Sequence, residues 1–361
     1  MLQLHDSTPF TVGVFALPDP RGVDTLVVVI KASFDMPRAD PGTDDRGPAG
    51  LAIAECQRPL VMTDEYWGSP DSSSLRYPSE VHPQKPGTDV LVIAEACAPG
   101  GHPVTELEVG IRVGDRDKRA RVYGDRHWTE GVGGLKPSRP RSFVRLPLTY
   151  ERAFGGREPA QAPRADGLSD GLGLGPAEPS NPVGVGFIHG AEPRERLGHP
   201  VPNIDDPDQP FTRLGQSPAP MGFGASAPHW TPRRRFAGTY DERWSTTRAP
   251  HLPLDFDPRF FNAASAGLNF AQALRGGEPI VLFGMAPEGP HGLTLPTCHF
   301  DLGLQIAGAR EPASPILDTV ILEPSDAHLT MIWRAVVPVS KRLLQVERID
   351  LALAELQGAQ A

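Results

Sequence analysis

Cysteine is scarce in this chain: Cys56, Cys97 and Cys298 are the only three in 361 residues, odd in number and far apart. That argues against a disulfide framework and suits a reducing compartment. Long apolar runs are missing too, and none approaches the roughly 20 residues of a membrane-spanning helix. The opening MLQLHDSTPF has neither the basic segment nor the apolar core of a secretory signal, so a cytoplasmic location is expected. Unbroken stretches are rare because 38 glycines and 41 prolines punctuate the chain, which disfavours long helices and favours strands joined by turns. The signatures of nucleotide and zinc chemistry are lacking as well. GLGLGP (171–176) and GVGFIHG (184–190) do not spell G-x-G-x-x-G, and there is no G-x-x-x-x-G-K-[ST], H-E-x-x-H or paired C-x-x-C. Cys298 and His299 are adjacent, and neighbours on a strand point to opposite faces, so a core cysteine beside a surface histidine is the reading. No cofactor and no metal are expected.

Positive charge is in deficit overall, with a net charge of −9, but it is unevenly placed. Residues 1–109 carry 7 basic and 16 acidic side chains, whereas 110–152 carry 11 and 5. The basic stretch RVGDRDKRARVYGDRHW raises nucleic acid as a partner. Its interleaved aspartates, in an acidic molecule, make a poor footprint for counterion release, so a solvated hairpin face or an acidic protein partner fits better. Neither nucleic acid nor membrane is expected as a partner.

What is present is strand signal at both ends. DTLVVVIKASF (24–34) is a β-branched run ending in alternation, and DVLVIAEACA (89–98) resembles it. From residue 107, Leu107, Val109, Ile111 and Val113 alternate, and KRARVYG (118–124) reads as the returning strand. EPIVLFGM, ILDTVILEP, HLTMIWRAVVP and RLLQVERIDLAL repeat the theme near the C-terminus. In the third of these, Leu329, Met331, Trp333 and Ala335 share one face, with Thr330 and Arg334 on the other. The expected fold class is mainly β, with antiparallel sheets packed in a sandwich-like arrangement, long Pro/Gly-rich loops and a few short helices. One domain is expected over 10–352: strand-rich over 10–150, loop-rich over 151–265, strand-rich again over 266–352, with 353–361 as a tail. Residues 157–182 and 36–50 read as loops, the first of them mobile. Thr239 and Glu242 have capping-box spacing for a short helix that ends before Pro250. Asp257 before Pro258 reads as the N-cap of a second.

The densest stretch is PMGFGASAPHWTPRRRFAGTYDERW (220–244). GASAP nearly spells the nucleophile elbow around Ser226, but proline replaces the last glycine and no strand precedes it, so Ser226 is set aside. Carboxylates among aromatics in NIDDPD, YDERW and DFD have the composition of a carbohydrate site, although Asp241, Asp255 and Asp257 also suit helix starts and turns. Trp230, Arg233, Arg234, Arg235, Tyr240, Asp241 and Trp244 are the candidate partner-binding or motif residues. Trp230 and Trp244 offer contact area, and the three arginines offer forked bonds to carboxylates. The competing reading is that Trp230, Tyr240 and Trp244 plug the core under a proline-rich loop.

Twelve stretches, in order, resemble one bacterial family, DUF2169. They are LVVVIKASFDMP (26–37), PLVMTDEYWG (59–68), KPGTDVLVIAEACAPGG (85–101), VYGDRHW (122–128), RLPLTYERAFGG (145–156) and NPVGVGF (181–187). VPNIDDPDQPFTR (201–213), the 220–244 stretch, PLDFDPRFFNAA (253–264), LRGGEPIVLFGM (274–285), LDTVILEP (317–324) and MIWRAVVP (331–338) complete the set. The resemblance implies a non-enzymatic adaptor or chaperone that binds a type VI secretion effector encoded nearby and helps load it onto the VgrG spike. VgrG itself or a PAAR-like spike protein is the second implied partner. The family brings no catalytic residues, so none are expected here. The alternative is a carbohydrate-active enzyme or sugar-binding module built on the central aromatics and carboxylates.

Overall fold

A computed structural model describes residues 2–37, 50–158, 175–189 and 193–360. Strand makes up 44% and helix 10%, so the expected mainly β class with antiparallel sheets and only short helices is what is found. Most of the expected loops at 36–50 and 157–182 lies outside the described residues. None of the described helices is long and apolar enough to cross a membrane.

The largest sheet runs Asn269–Phe270, Thr88–Val92, Ile316–Glu323, His328–Pro338, Asp24–Asp35. On its far edge Asp24–Asp35 meets Thr11–Pro18 along most of its length and Leu51–Ile53 at its end. A four-stranded sheet joins Gln3–Asp6, Val346–Gln357, Thr297–Ile306 and Ala309–Ala313. A five-stranded one joins Ile204–Asp205, Arg116–Tyr123, Glu106–Val113, Pro279–Phe283 and His291–Thr294. One apolar core connects all three, drawing on Val27, Ile111, Leu304 and Met331 among many others. Four of the described strand pairings are parallel: Thr88–Val92 with Ile316–Glu323, Gln3–Asp6 with Val346–Gln357, Ala359–Gln360 with Leu51–Ile53, and Phe154–Gly155 with Val185–Gly186. Residues 353–357, expected as part of a tail, continue the strand Val346–Gln357 and pair with Thr297–Phe300. Their apolar side chains Leu353 and Leu356, on either side of a register shift, pack on the core.

The strand His328–Pro338 shows why the large sheet is a middle layer. Opposite residues of an antiparallel pair share a face, and Leu329, Met331 and Trp333 lie across from Phe34, Ala32 and Ile30. That row meets the four-stranded sheet, with Phe300 edge-on to Trp333 at 5.2 Å and Phe10 bridging Phe34 and Phe300 at 6.0 and 6.3 Å. Thr330 and Arg334 do take the other face, but it is buried as well: their exposures are 1% and 3%. The chain 57–85 covers it with charges that meet partners. Lys31 Nζ lies 2.7 Å from Glu80 Oε1, and Arg334 Nε lies 2.6 Å from Asp318 Oδ2. Asp318 sits where the register with His328–Pro338 slips by one residue, a bulge that brings the carboxylate to Arg334. Burial and the neighbouring Arg334 hold the His82 imidazole well below its usual range, hence neutral. The neutral ring accepts from Arg334 Nη2 at Nε2, 3.0 Å away, and presents Nδ1–H to the Pro83 carbonyl. A buried charge without such partners would cost several kcal/mol, on the order of 3–5 when one partner is removed.

Asp89 fixes the central segment to this sheet. Fully buried, it accepts from Lys85 Nζ (2.8 Å), Ala263 N (2.8 Å) and Asn269 Nδ2 (2.8 Å). The turn before it requires glycine: Gly87 has φ +68°, and a Cβ there would stand 1.7 Å from the Phe270 carbonyl oxygen.

Candidate partner-binding site

The 220–244 stretch divides into scaffold and surface. Trp230 is completely buried and meets Tyr150 edge-on at 5.2 Å, its Nε1–H without an acceptor among the described residues. Arg233 is buried too; Nη1 donates to the Ser226 carbonyl (3.0 Å) and Nε to that of Phe260 (2.8 Å), so its fork is occupied by backbone. Arg234 and Arg235 are exposed, Arg235 lying over the Phe236 ring at 4.7 Å. Tyr240 is exposed and touches the half-buried Trp244 at 4.7 Å, while Trp244 Nε1 donates to the His251 carbonyl at 2.9 Å. The structure therefore joins Tyr240 to Trp244 and separates both in role from Trp230 and Arg233.

The helix Glu242–Thr247 ends before Pro250 as expected, but Asp241, not Thr239, is its N-cap, accepting from Trp244 N at 2.8 Å. Thr239 instead bonds Asp255 through both its N–H (3.0 Å) and its hydroxyl (2.8 Å). A carboxylate caps at least as well as a hydroxyl, and one lay two residues nearer the helix. Asp257 caps the 3-10 turn Pro258–Phe261 as expected. Asp205 is buried against Arg126 at 3.2 Å, and burial raises its carboxyl above the ordinary value although Arg126 opposes the shift. Each of these central carboxylates therefore has a turn, cap or ion-pair partner. Cys298 is buried, which pushes its thiol up to about 12, and His299 beside it is exposed.

A separate concavity lies elsewhere. An open cleft of about 980 Å³ is formed between the Glu65–Tyr66/Leu75–Tyr77 hairpin, the turn Ile93–Glu95, the start of Arg126–Gly131 and the helical turn Tyr150–Arg152. Its volume stands at the upper end of ligand-pocket sizes. Local bonds lock these pieces together. Ser74 donates its N–H and hydroxyl to Glu151 at 2.6 and 2.8 Å, tying the hairpin to the helical turn. Arg152 reaches Asp125 at 3.2 Å and Asn203 at 3.3 Å. Gly124 lets the Arg141 carbonyl pass where a Cβ would come within 1.8 Å. Arg126 lies over the Tyr123 ring at 3.9 Å.

At the cleft wall Arg76 lies over Trp67 at 4.5 Å and over Tyr77 at 5.0 Å. Trp67 is 46% exposed, a large aromatic held in water at the lip of the cleft. Buried-anchor residues of protein interfaces are drawn from this set, tryptophan, tyrosine and arginine. Neither Trp67 nor Arg76 stood out in the sequence. The available signal was that Trp67 falls within PLVMTDEYWG, and six of the twelve family-like stretches contribute lining residues. The 220–244 stretch contributes none. The basic residues of 110–152 divide as well: Arg119 pairs with Glu108 (2.9 Å) and Asp117 (2.5 Å) on the solvated hairpin, while Arg126, Arg141 and Arg152 line the cleft.

Compared with known proteins, residues 21–334 match the model of a family described as an uncharacterized protein conserved in bacteria, DUF2169. No curated protein and no solved structure matches the chain.

Proposed function

Since the chain belongs to the DUF2169 family, we propose that it is a non-enzymatic adaptor and chaperone that binds a type VI secretion effector and helps load it onto the VgrG spike. The observation that carries the reading is the open cleft of about 980 Å³ with Trp67 exposed at its lip and Arg76 stacked on it. An exposed tryptophan loses little rotamer freedom on binding and brings a large apolar area to a partner. The cleft floor is tied by hydrogen bonds through Glu151, Arg152 and Asn203, so the surface is formed before a partner arrives. The working site on this reading is the cleft, with Arg234, Arg235 and Tyr240 as a separate exposed patch. Co-expression with a candidate type VI effector from the same genome tests the proposal. The effector and this chain should co-purify as a complex, and the effector should reach VgrG less when this chain is deleted. An effector that is soluble, and loaded equally well, without this protein would overturn the reading.

A further inference from the structure

We propose that the cleft recognises an acidic peptide segment of its partner, with Arg76 and Arg141 as the carboxylate-binding residues. This rests on the adaptor reading and adds the chemistry of what is held. Three of the carboxylates lining the cleft are engaged: Glu95 with Arg145 (3.2 Å), Asp125 with Arg152 (3.2 Å), and Glu151 with Ser74 (2.6 Å to its N–H). Two of the arginines are engaged too, Arg152 with Asp125 and Arg126 with Asp205. Arg76 and Arg141 make no ion pair among the described residues; Glu151 and Asp326 make none there either, but both Glu151 oxygens are already filled by Ser74. The unfilled guanidinium donors of Arg76 and Arg141 therefore outnumber the one lining carboxylate, Asp326, left with open oxygens among the described residues. Arg76 Nε and Arg126 Nε are, in addition, screened from water without an acceptor, and Arg126 is only 8% exposed. An arginine cluster with unfilled donors, walled by protein, is complementary to carboxylates.

The mixed lining selects a peptide over a polyanion. A nucleic-acid backbone is charged at every phosphate and would carry those charges past Glu95, Asp125, Glu151 and Asp326, whereas a peptide can place its carboxylates at Arg76 and Arg141 alone. Ile93, Val185 and Val201 instead offer apolar surface between the charges. An extended peptide sends alternate side chains to opposite sides, so acidic and apolar residues in alternation meet both kinds of wall. The Trp67 and Tyr77 rings hold the Arg76 guanidinium flat, which lowers the entropy lost when it grips a carboxylate.

The test is fluorescence anisotropy at physiological salt with the full chain and a labelled peptide alternating Glu and Leu. Matched Gln/Leu and Lys/Leu peptides and a single-stranded oligonucleotide serve as competitors. The acidic peptide should bind at least about tenfold more tightly than any of them. Arg76→Gln and Arg141→Gln should each weaken it by about tenfold or more, while Arg275→Gln, exposed and outside the cleft, leaves it unchanged. Arg76→Lys, which keeps the charge but loses the flat fork, should restore only part of the affinity. If Arg76→Gln does not fold, the exposed Arg141 carries the test alone. Equal binding of the Gln/Leu peptide, tighter binding of the oligonucleotide, or unchanged affinity in Arg141→Gln overturns the inference. An effector captured equally by wild type and both arginine variants would overturn it while leaving the adaptor standing. Binding of the acidic peptide without capture of the effector would remove the adaptor instead.

Discussion

Replacing Trp230 by alanine should be the most damaging change in the 220–244 stretch. The indole is fully buried and packs edge-on to Tyr150 at 5.2 Å. Burying about 250 Å² of aromatic surface is worth roughly 6 kcal/mol at 25 cal/mol/Å², an upper bound because the unfolded chain is not fully extended. Truncations of this kind cost roughly 3–5 kcal/mol once the cavity partly closes. Trp230 Nε1–H has no acceptor among the described residues, a penalty of about 1–3 kcal/mol that the alanine variant escapes. The expected loss is therefore near the lower end, about 3 kcal/mol, and Trp230→Phe should lose less. Trp244 is half-buried, holds one bond to His251 and touches the exposed Tyr240, so Trp244→Ala should cost about 1 kcal/mol. Urea unfolding followed by far-UV circular dichroism measures both, with the midpoint shifting at constant slope. A Trp230→Ala loss below about 1 kcal/mol, or a larger loss at Trp244, would refute this division of the stretch into core and surface.

Three further outcomes are expected. Burial raises the Asp318 carboxyl, but the Arg334 and Lys85 cations and a hydrogen bond from Thr319 outweigh it and hold it at about 2. Its contribution is thus present above its unfolded value near 4 and is lost as pH falls from about 4 through about 2. Asp318→Asn should flatten the acid limb of the stability profile over that window, and an unchanged limb would contradict the ion pair with Arg334. Gly87→Ala, which forces a Cβ into the Phe270 carbonyl at positive φ, should lower the unfolding midpoint sharply or abolish soluble protein; a wild-type midpoint would refute the turn geometry. Burial lowers the Lys118 amine to about 7, so its labelled side-chain resonance should titrate near neutrality. A Lys118 midpoint near 10 would show the amine to be in water.

The strands were legible where a local pattern carries them. Leu107 to Val113 alternates, KRARVYG returns beside it as expected, and the two pair antiparallel with Val113 opposite Arg116 and Leu107 opposite Val122. The apolar row of His328–Pro338 was equally plain. The fate of its other face was not, because Arg334 finds His82 and Asp318 through contacts of 252 and 16 residues' separation. The bulge that delivers Asp318 leaves no mark in the hydrophobic period. Asp241 and Thr239 competed for one helix start, and only the fold shows that Asp255 had taken Thr239. The cleft was least legible, since Trp67, Glu95, Arg141, Arg152 and Asp326 are brought together singly from distant parts of the chain. Composition favoured the dense stretch, whose first tryptophan and first arginine, Trp230 and Arg233, turn out to hold the core.

The central claim, that this chain holds a partner protein in the Trp67 cleft, is tested most directly by a photo-crosslinking amino acid placed at position 67 in cells that also make the effector proposed as its partner. The same reporter at position 240 probes the other exposed aromatic patch. Irradiation should join the effector to position 67, and excess Glu/Leu peptide should suppress that adduct. An effector adduct at position 240 with none at position 67 would contradict the account.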